Sequence, residues 1–199
     1  IRNSISYNNA PVVIVGTHCG LIGSDGATQS ALQDISIMRS MPYFNVFQPC
    51  TPHDTKEIIK YVCKTKEPTY LRIARNEIPE FLNKKHRFKI GIPNEILKGK
   101  KTLIISSGAM VYNCLQAIKE LKKSEFGLLN ISSIKPLNEK AVLNINLGIS
   151  LSFIDKDKSK KLLLENLSIF KKKDISEYIS TAIKNRIKEA EAILKTLSK

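Results

Sequence analysis

His18, Asp25 and Arg75 are of types that, brought together, handle a small hydroxylated and charged molecule. A neutral imidazole hydrogen-bonds a hydroxyl or passes a proton, a carboxylate accepts from a hydroxyl, and a guanidinium takes two phosphate oxygens at once. His18 and Asp25 share one polar, glycine-rich stretch, Gly16-Thr17-His18-Cys19-Gly20 followed by Gly23-Ser24-Asp25-Gly26. Each also has a plainer use: a His after a strand can bond its own loop, Asp in Ser-Asp-Gly suits a turn, and Arg75, like Arg72, suits an ion pair. Cys19 is either a loop spacer or a reactive thiol. His53 reads as a helix-start residue and His86 as part of a basic segment, and no cluster has metal-ligand spacing.

Such a loop needs a strand before it and a helix after it. Val12 to Val15 is a β-branched run that stops at Gly16, and the apolar period Ala31, Leu32, Ile35, Met38 predicts a helix from about Thr28 to Ser40, closed before Pro42. Strand, loop and helix in this order are how an α/β sheet presents a ligand site at its strand ends. Thr69 to Ala74 reads as a second strand that carries Arg75 to its carboxyl end, beside His18 and Asp25 if the sheet is parallel.

The rest of the chain alternates in the same way. Ile1 to Asn9 reads as the tail of a helix that stops before Pro11, so more chain is expected upstream. Phe44 to Gln48 is a short strand. Thr51-Pro52-His53-Asp54 starts a helix, with Thr as cap, Pro at the first position and an acid in the first turn, and Ile58, Ile59 and Val62 fall on one face. Residues 77–100 read as a linker, with Pro79, Pro93, Gly91 and Gly99 and no sustained periodicity. Thr102 to Ser106 is a strand, Met110 to Lys123 a helix, Phe126 to Ile131 a strand, and Asn138 opens another helix. Strand alternating with helix implies right-handed crossovers and mainly parallel sheets. The expected fold class is α/β, as two three-layer α/β/α units, the first incomplete at its N-terminus.

Thr17-His18, Ser24-Asp25-Gly26-Ala27-Thr28, the run Leu32 to Arg39, Pro42, Pro49, Tyr70-Leu71-Arg72-Ile73-Ala74-Arg75 and Ser133-Ile134-Lys135-Pro136-Leu137 resemble, in order and spacing, the transketolase family of thiamine-diphosphate enzymes. The resemblance covers residues 1 to about 142. It implies that 1–76 is the second half of a pyrimidine-binding domain and 101–199 a transketolase C-terminal domain with a divergent end. There Lys156-Asp157-Lys158-Ser159-Lys160-Lys161 replaces a glycine-rich turn, and a final amphipathic helix follows a capping box of Asp174 and Glu177.

By the same resemblance His18 would be the catalytic residue and would bind substrate together with Asp25, Gln29 and Arg75, His18 and Asp25 at the carbonyl and hydroxyl end and Arg75 at the phosphate. Gln29 stands where the family usually has a histidine, and an amide hydrogen-bonds without transferring a proton. The implied reaction is transfer of a two-carbon ketol unit between sugar phosphates, with thiamine diphosphate and Mg2+ held mainly by parts of the enzyme outside this chain. Nothing here matches the glutamate that activates the cofactor, so the chain alone is expected to be inactive. A partner chain or domain carrying the diphosphate-binding half is implied, in a homodimer or two-subunit assembly. The alternatives are an enzyme resembling 1-deoxyxylulose-5-phosphate synthase, or a non-catalytic assembly subunit that kept the fold.

Composition narrows the remaining classes. The net charge of +14 would suit nucleic acid, but the excess is Lys spread over the whole chain. The runs Lys84-Lys85-His86-Arg87, Lys98-Gly99-Lys100-Lys101 and Lys171-Lys172-Lys173 lack the interleaved aromatics of a single-strand platform, so no nucleic-acid partner is expected. No apolar run approaches a membrane span. Cys19, Cys50, Cys63 and Cys114 form no Cys-x-x-Cys pair, which points to a reducing cytoplasm rather than a disulfide framework.

Overall fold

The computed structural model describes residues 1–20, 26, 28, 30–99, 102–121 and 125–138. The elements expected beyond residue 138 lie outside these. A π-helical segment, Arg2–Tyr7, is followed by β1 (Val13–Gly16), α1 (Asp34–Ser40), β2 (Asn45–Phe47), α2 (Pro52–Val62), β3 (Thr69–Arg72), β4 (Asn94–Leu97), β5 (Thr102–Ser106), α3 (Met110–Leu121), β6 (Phe126–Asn130) and β7 (Ser133–Lys135).

The strands form two sheets, ordered β1-β3-β2-β7 and β4-β6-β5. The pairings β1–β3, β2–β3 and β5–β6 are parallel, and β2–β7 and β4–β6 antiparallel. This is the expected α/β class with mainly parallel sheets. Successive strand residues face opposite sides, and the first sheet uses that alternation on both faces. Val46 and Tyr70 pack on one side against Phe44 and Met38 of α1. Phe47 and Leu71 pack on the other against Ile58 and Val62 of α2. In the second sheet Leu128 packs against Val111, Leu115 and Ile118 of α3, a core that also takes in Cys50 and Leu82. No helix among the described residues is long and apolar enough to cross a membrane.

Thr51 caps α2 as its sequence implies, its hydroxyl accepting from Asp54 N at 3.1 Å. Three local expectations change. α1 begins at Asp34 rather than near Thr28, because Ala31 is engaged elsewhere: its carbonyl accepts from Gly20 N at 3.1 Å and from Arg72 Nη2 at 3.4 Å. Ile59 is 45% exposed while Ile58 is fully covered, since neighbouring helix positions point about 100° apart.

The stretch read as a linker contains β4, which pairs with β6. Its signal is weak in the sequence because Asn94-Glu95-Ile96-Leu97 is short and half-polar. β4 ends where two backbones touch: a Cβ at Gly99 would lie 1.9 Å from Gly127 N. Gly99→Ala is therefore expected to push β4 off β6 and cost at least about 1–3 kcal/mol, measurable by urea unfolding.

Candidate functional site

β1 ends at Gly16, and the next residues leave the sheet as a loop. A Cβ at position 16 would meet the Tyr70 hydroxyl at 2.2 Å, so glycine is what lets the tyrosine reach under the loop. His18 follows, exposed and with φ of 58°, in the left-handed region that non-glycine residues rarely adopt. Gly16 pairs with Arg72 in the parallel register, and Ile73 N donates to Gly16 O at 2.8 Å. Arg75, also exposed, lies three residues beyond Arg72. His18 and Arg75 thus both follow the carboxyl ends of neighbouring strands, although 57 positions of sequence (75 − 18) separate them. Asp25 and Gln29 lie outside the described residues.

A partly buried polar group supports this loop from beneath. Asp34 Oδ2 accepts from Tyr70 Oη and from Arg72 Nε, each at 2.8 Å. The Tyr70 hydroxyl also lies 3.6 Å from Cys19 Sγ. Arg72, read from sequence as an ion-pair residue, is one here, and its second contact on Ala31 O ties loop, helix start and β3 together. Burial works against the Asp34 carboxylate, but the hydrogen bonds from Arg72 and Tyr70 outweigh it and hold the carboxyl below its ordinary 3.8. Burial, then Cys19 and Asp34, push the Tyr70 phenol up, so it remains a donor.

The sign of the linkage follows. A depressed carboxyl stabilises the fold above its unfolded value and ceases to as pH falls through the folded one. Asp34→Asn is expected to flatten the decline in stability on acidification below pH 3.8, as read from Tm against pH.

A second polar cluster joins α2 to the β6–β7 corner. Asp54, fully buried, accepts at Oδ2 from Cys50 N at 3.1 Å and from Ser132 Oγ at 2.5 Å. Asn130 Nδ2 donates to Ser132 Oγ at 2.8 Å and lies 3.1 Å from Cys50 Sγ. His53 Nε2 is 3.0 Å from His86 O, and His86 Nε2 is 3.5 Å from Asp54 Oδ1. In the sequence Asp54 reads only as a first-turn acid, because its partner Ser132 is 78 residues away.

Burial, and next the Asp54 charge, raise the Cys50 thiol far above its ordinary value. Cys63 is exposed and Cys50 buried. A maleimide is therefore expected to label Cys63 in the native protein and Cys50 only after unfolding, a difference that peptide mass mapping would read.

Among the described residues no three His, Cys, Asp or Glu side chains come together as a metal site. The sequence matches the family model "Transketolase, pyrimidine binding domain" over residues 1–80 and "Transketolase, C-terminal domain" over 94–148. It is 32% identical over 146 residues to one subunit of the apulose-4-phosphate transketolase of Phocaeicola vulgatus, covering 71% of this chain and 47% of that protein. It is likewise 32% identical over 146 residues to human transketolase, covering 71% of this chain and 23% of that one. The chain thus spans about half or less of the curated relatives it matches. A split-gene transketolase solved as an inactive β4 tetramer aligns with all of this chain and 71% of its own, with a TM-score of 0.67 and 25% identity. Two family models in their family order, over a sheet whose strand ends carry the His18 and Arg75 loops, establish that this chain belongs to the transketolase family and represents its C-terminal portion.

Proposed function

We propose that this chain is one part of a cytoplasmic, thiamine-diphosphate-dependent transketolase that moves a two-carbon ketol unit between sugar phosphates. In this reading 1–76 is the second half of the pyrimidine-binding domain and 101–199 the C-terminal domain, which also takes β4 from the connecting stretch 77–100. A further chain or domain holds the diphosphate and its magnesium. One relative is named as a subunit of its enzyme and one similar structure comes from a split gene, and both support a two-subunit assembly.

Thiamine diphosphate, when bound, supplies the carbanion of ketol transfer. This chain's own residues bind and orient. His18 bonds or relays a proton to a hydroxyl, Asp25 accepts from a second hydroxyl, Gln29 hydrogen-bonds without titrating, and Arg75 takes the phosphate. The observation that carries the reading is the parallel β1–β3 pairing with Gly16 opposite Arg72, from which the His18 and Arg75 loops leave by the same sheet edge.

The test is ketol transfer by the full-length native protein, with its copurifying chain, over a panel of ketose and aldose phosphates with and without thiamine diphosphate and magnesium. Cofactor-dependent turnover is expected. Arg75→Ala should raise KM for a phosphorylated acceptor roughly 10- to 100-fold, the worth of a charge-assisted bond of about 1.5–3 kcal/mol, and leave an unphosphorylated one unchanged. No turnover together with no cofactor binding would overturn the reading in favour of an assembly subunit.

A further inference from the structure

The stretch from Gly16 to Gly20 that carries His18 is held at both ends by side chains of β3, the strand that leads to Arg75. At the near end the Tyr70 hydroxyl sits under Gly16, where a Cβ would meet it at 2.2 Å, and lies 3.6 Å from Cys19 Sγ. At the far end Gly20 N donates to Ala31 O at 3.1 Å, and the same carbonyl accepts from Arg72 Nη2 at 3.4 Å. One atom joins the two ends: Asp34 Oδ2 accepts from Tyr70 Oη and from Arg72 Nε, each at 2.8 Å. Tyr70 is 6% exposed, and the Asp34 and Arg72 side chains 13% and 14%, so water competes little for these bonds.

Tyr70 and Arg72 are two positions apart on one strand and share a face, at a separation the backbone fixes. Both functional loops refer to this pair. His18 lies between the two points that Tyr70 and Arg72 hold, and Arg75 leaves β3 just beyond Arg72. In the reaction proposed above, His18 meets the hydroxyl end of a sugar phosphate and Arg75 its phosphate, so the span between the loops measures the carbon chain. Resting on that reading, we infer that Tyr70 and Asp34 are positioning residues that set this span, and with it the chain length of the phosphorylated acceptor. Each acts through the loop it holds. A general weakening of the fold would slow all acceptors alike. Slack in this strut instead costs the acceptor of matching length most, because turnover falls up to about 100-fold when a reacting group is misplaced by about 1 Å.

The experiment compares the assembled native enzyme with its Tyr70→Phe and Asp34→Ala variants, checked for folding by circular dichroism, on glyceraldehyde 3-phosphate and ribose 5-phosphate as acceptors. The wild type is expected to prefer one acceptor by at least about tenfold in kcat/KM, and both variants to bring that ratio at least about threefold nearer to one. Tyr70→Phe removes a single hydroxyl and keeps the test open if Asp34→Ala does not fold. A second readout needs no turnover. Iodoacetamide should modify Cys19 at least about fivefold faster in Tyr70→Phe, with exposed Cys63 unchanged as the internal reference in peptide mass mapping. An active wild type that does not distinguish the two acceptors, or a ratio that stays within twofold of wild type in the variants, would overturn the role in chain length. An unchanged Cys19 rate would overturn the hold of Tyr70 on the loop. A wild type inert with both acceptors would overturn the ketol-transfer reading and the chain-length role with it, whereas a faster Cys19 rate in that case would still uphold the strut.

Discussion

Asp54→Ala is expected to lower the unfolding free energy by about 2–5 kcal/mol. Two donors, Cys50 N and Ser132 Oγ, lose their acceptor beside a fully buried position, and an unmet buried donor costs about 1–3 kcal/mol. Removing a buried carboxylate also returns some desolvation free energy. That return is the smaller quantity here, because the two hydrogen bonds already compensate the carboxylate. Asp54→Asn keeps an acceptor and the volume, and is expected to cost less than half as much. Urea unfolding of both variants, with m-values compared, gives the answer, and a loss below about 0.5 kcal/mol for alanine would mean that this cluster does not hold α2 to the β6–β7 corner.

His18→Ala is expected to reduce kcat of the assembled enzyme by about 10²–10⁴, the usual worth of a positioned proton-transfer group, with little loss of stability. The two readouts separate because His18 is exposed and holds φ at 58°. A non-glycine residue held there costs on the order of 1 kcal/mol or more, so His18→Gly should raise Tm while losing as much activity as the alanine variant. If both variants keep kcat within twofold, His18 handles no proton and bonds only its own loop.

Local signals carry well in this chain and distant ones do not. The cap at Thr51 and the turn at Asn8-Asn9 depend on residues a few positions apart, and both are where the residue types imply, Asn9 in the left-handed region at φ 47°. Apolar spacing misplaces the start of α1 because it cannot register that Ala31 is bound to Gly20 and Arg72. Ile59 and β4 show the same blindness at smaller scale: one residue's rotation on a helix, and a half-polar strand whose partner is more than thirty residues on. At the candidate site, residue types and family spacing draw attention to His18 and Arg75. The Asp34–Tyr70–Arg72 support beneath them spans 36 to 38 positions, and no sequence period links residues that far apart.

β7 sets a timetable for synthesis. Val46 pairs with Lys135 and Phe47 with Ser133, so β2, an inner strand of the first sheet, keeps one edge unpaired until residues made 89 positions later (135 − 46) emerge from the ribosome. At about 5–20 residues per second the nascent chain waits roughly 4–18 s with an open strand edge, the kind of surface that recruits a neighbouring chain. Polysomes crowd such edges together. A chaperone that shields strand edges should therefore raise the yield of this protein more when it acts during translation than when it is added to the released chain.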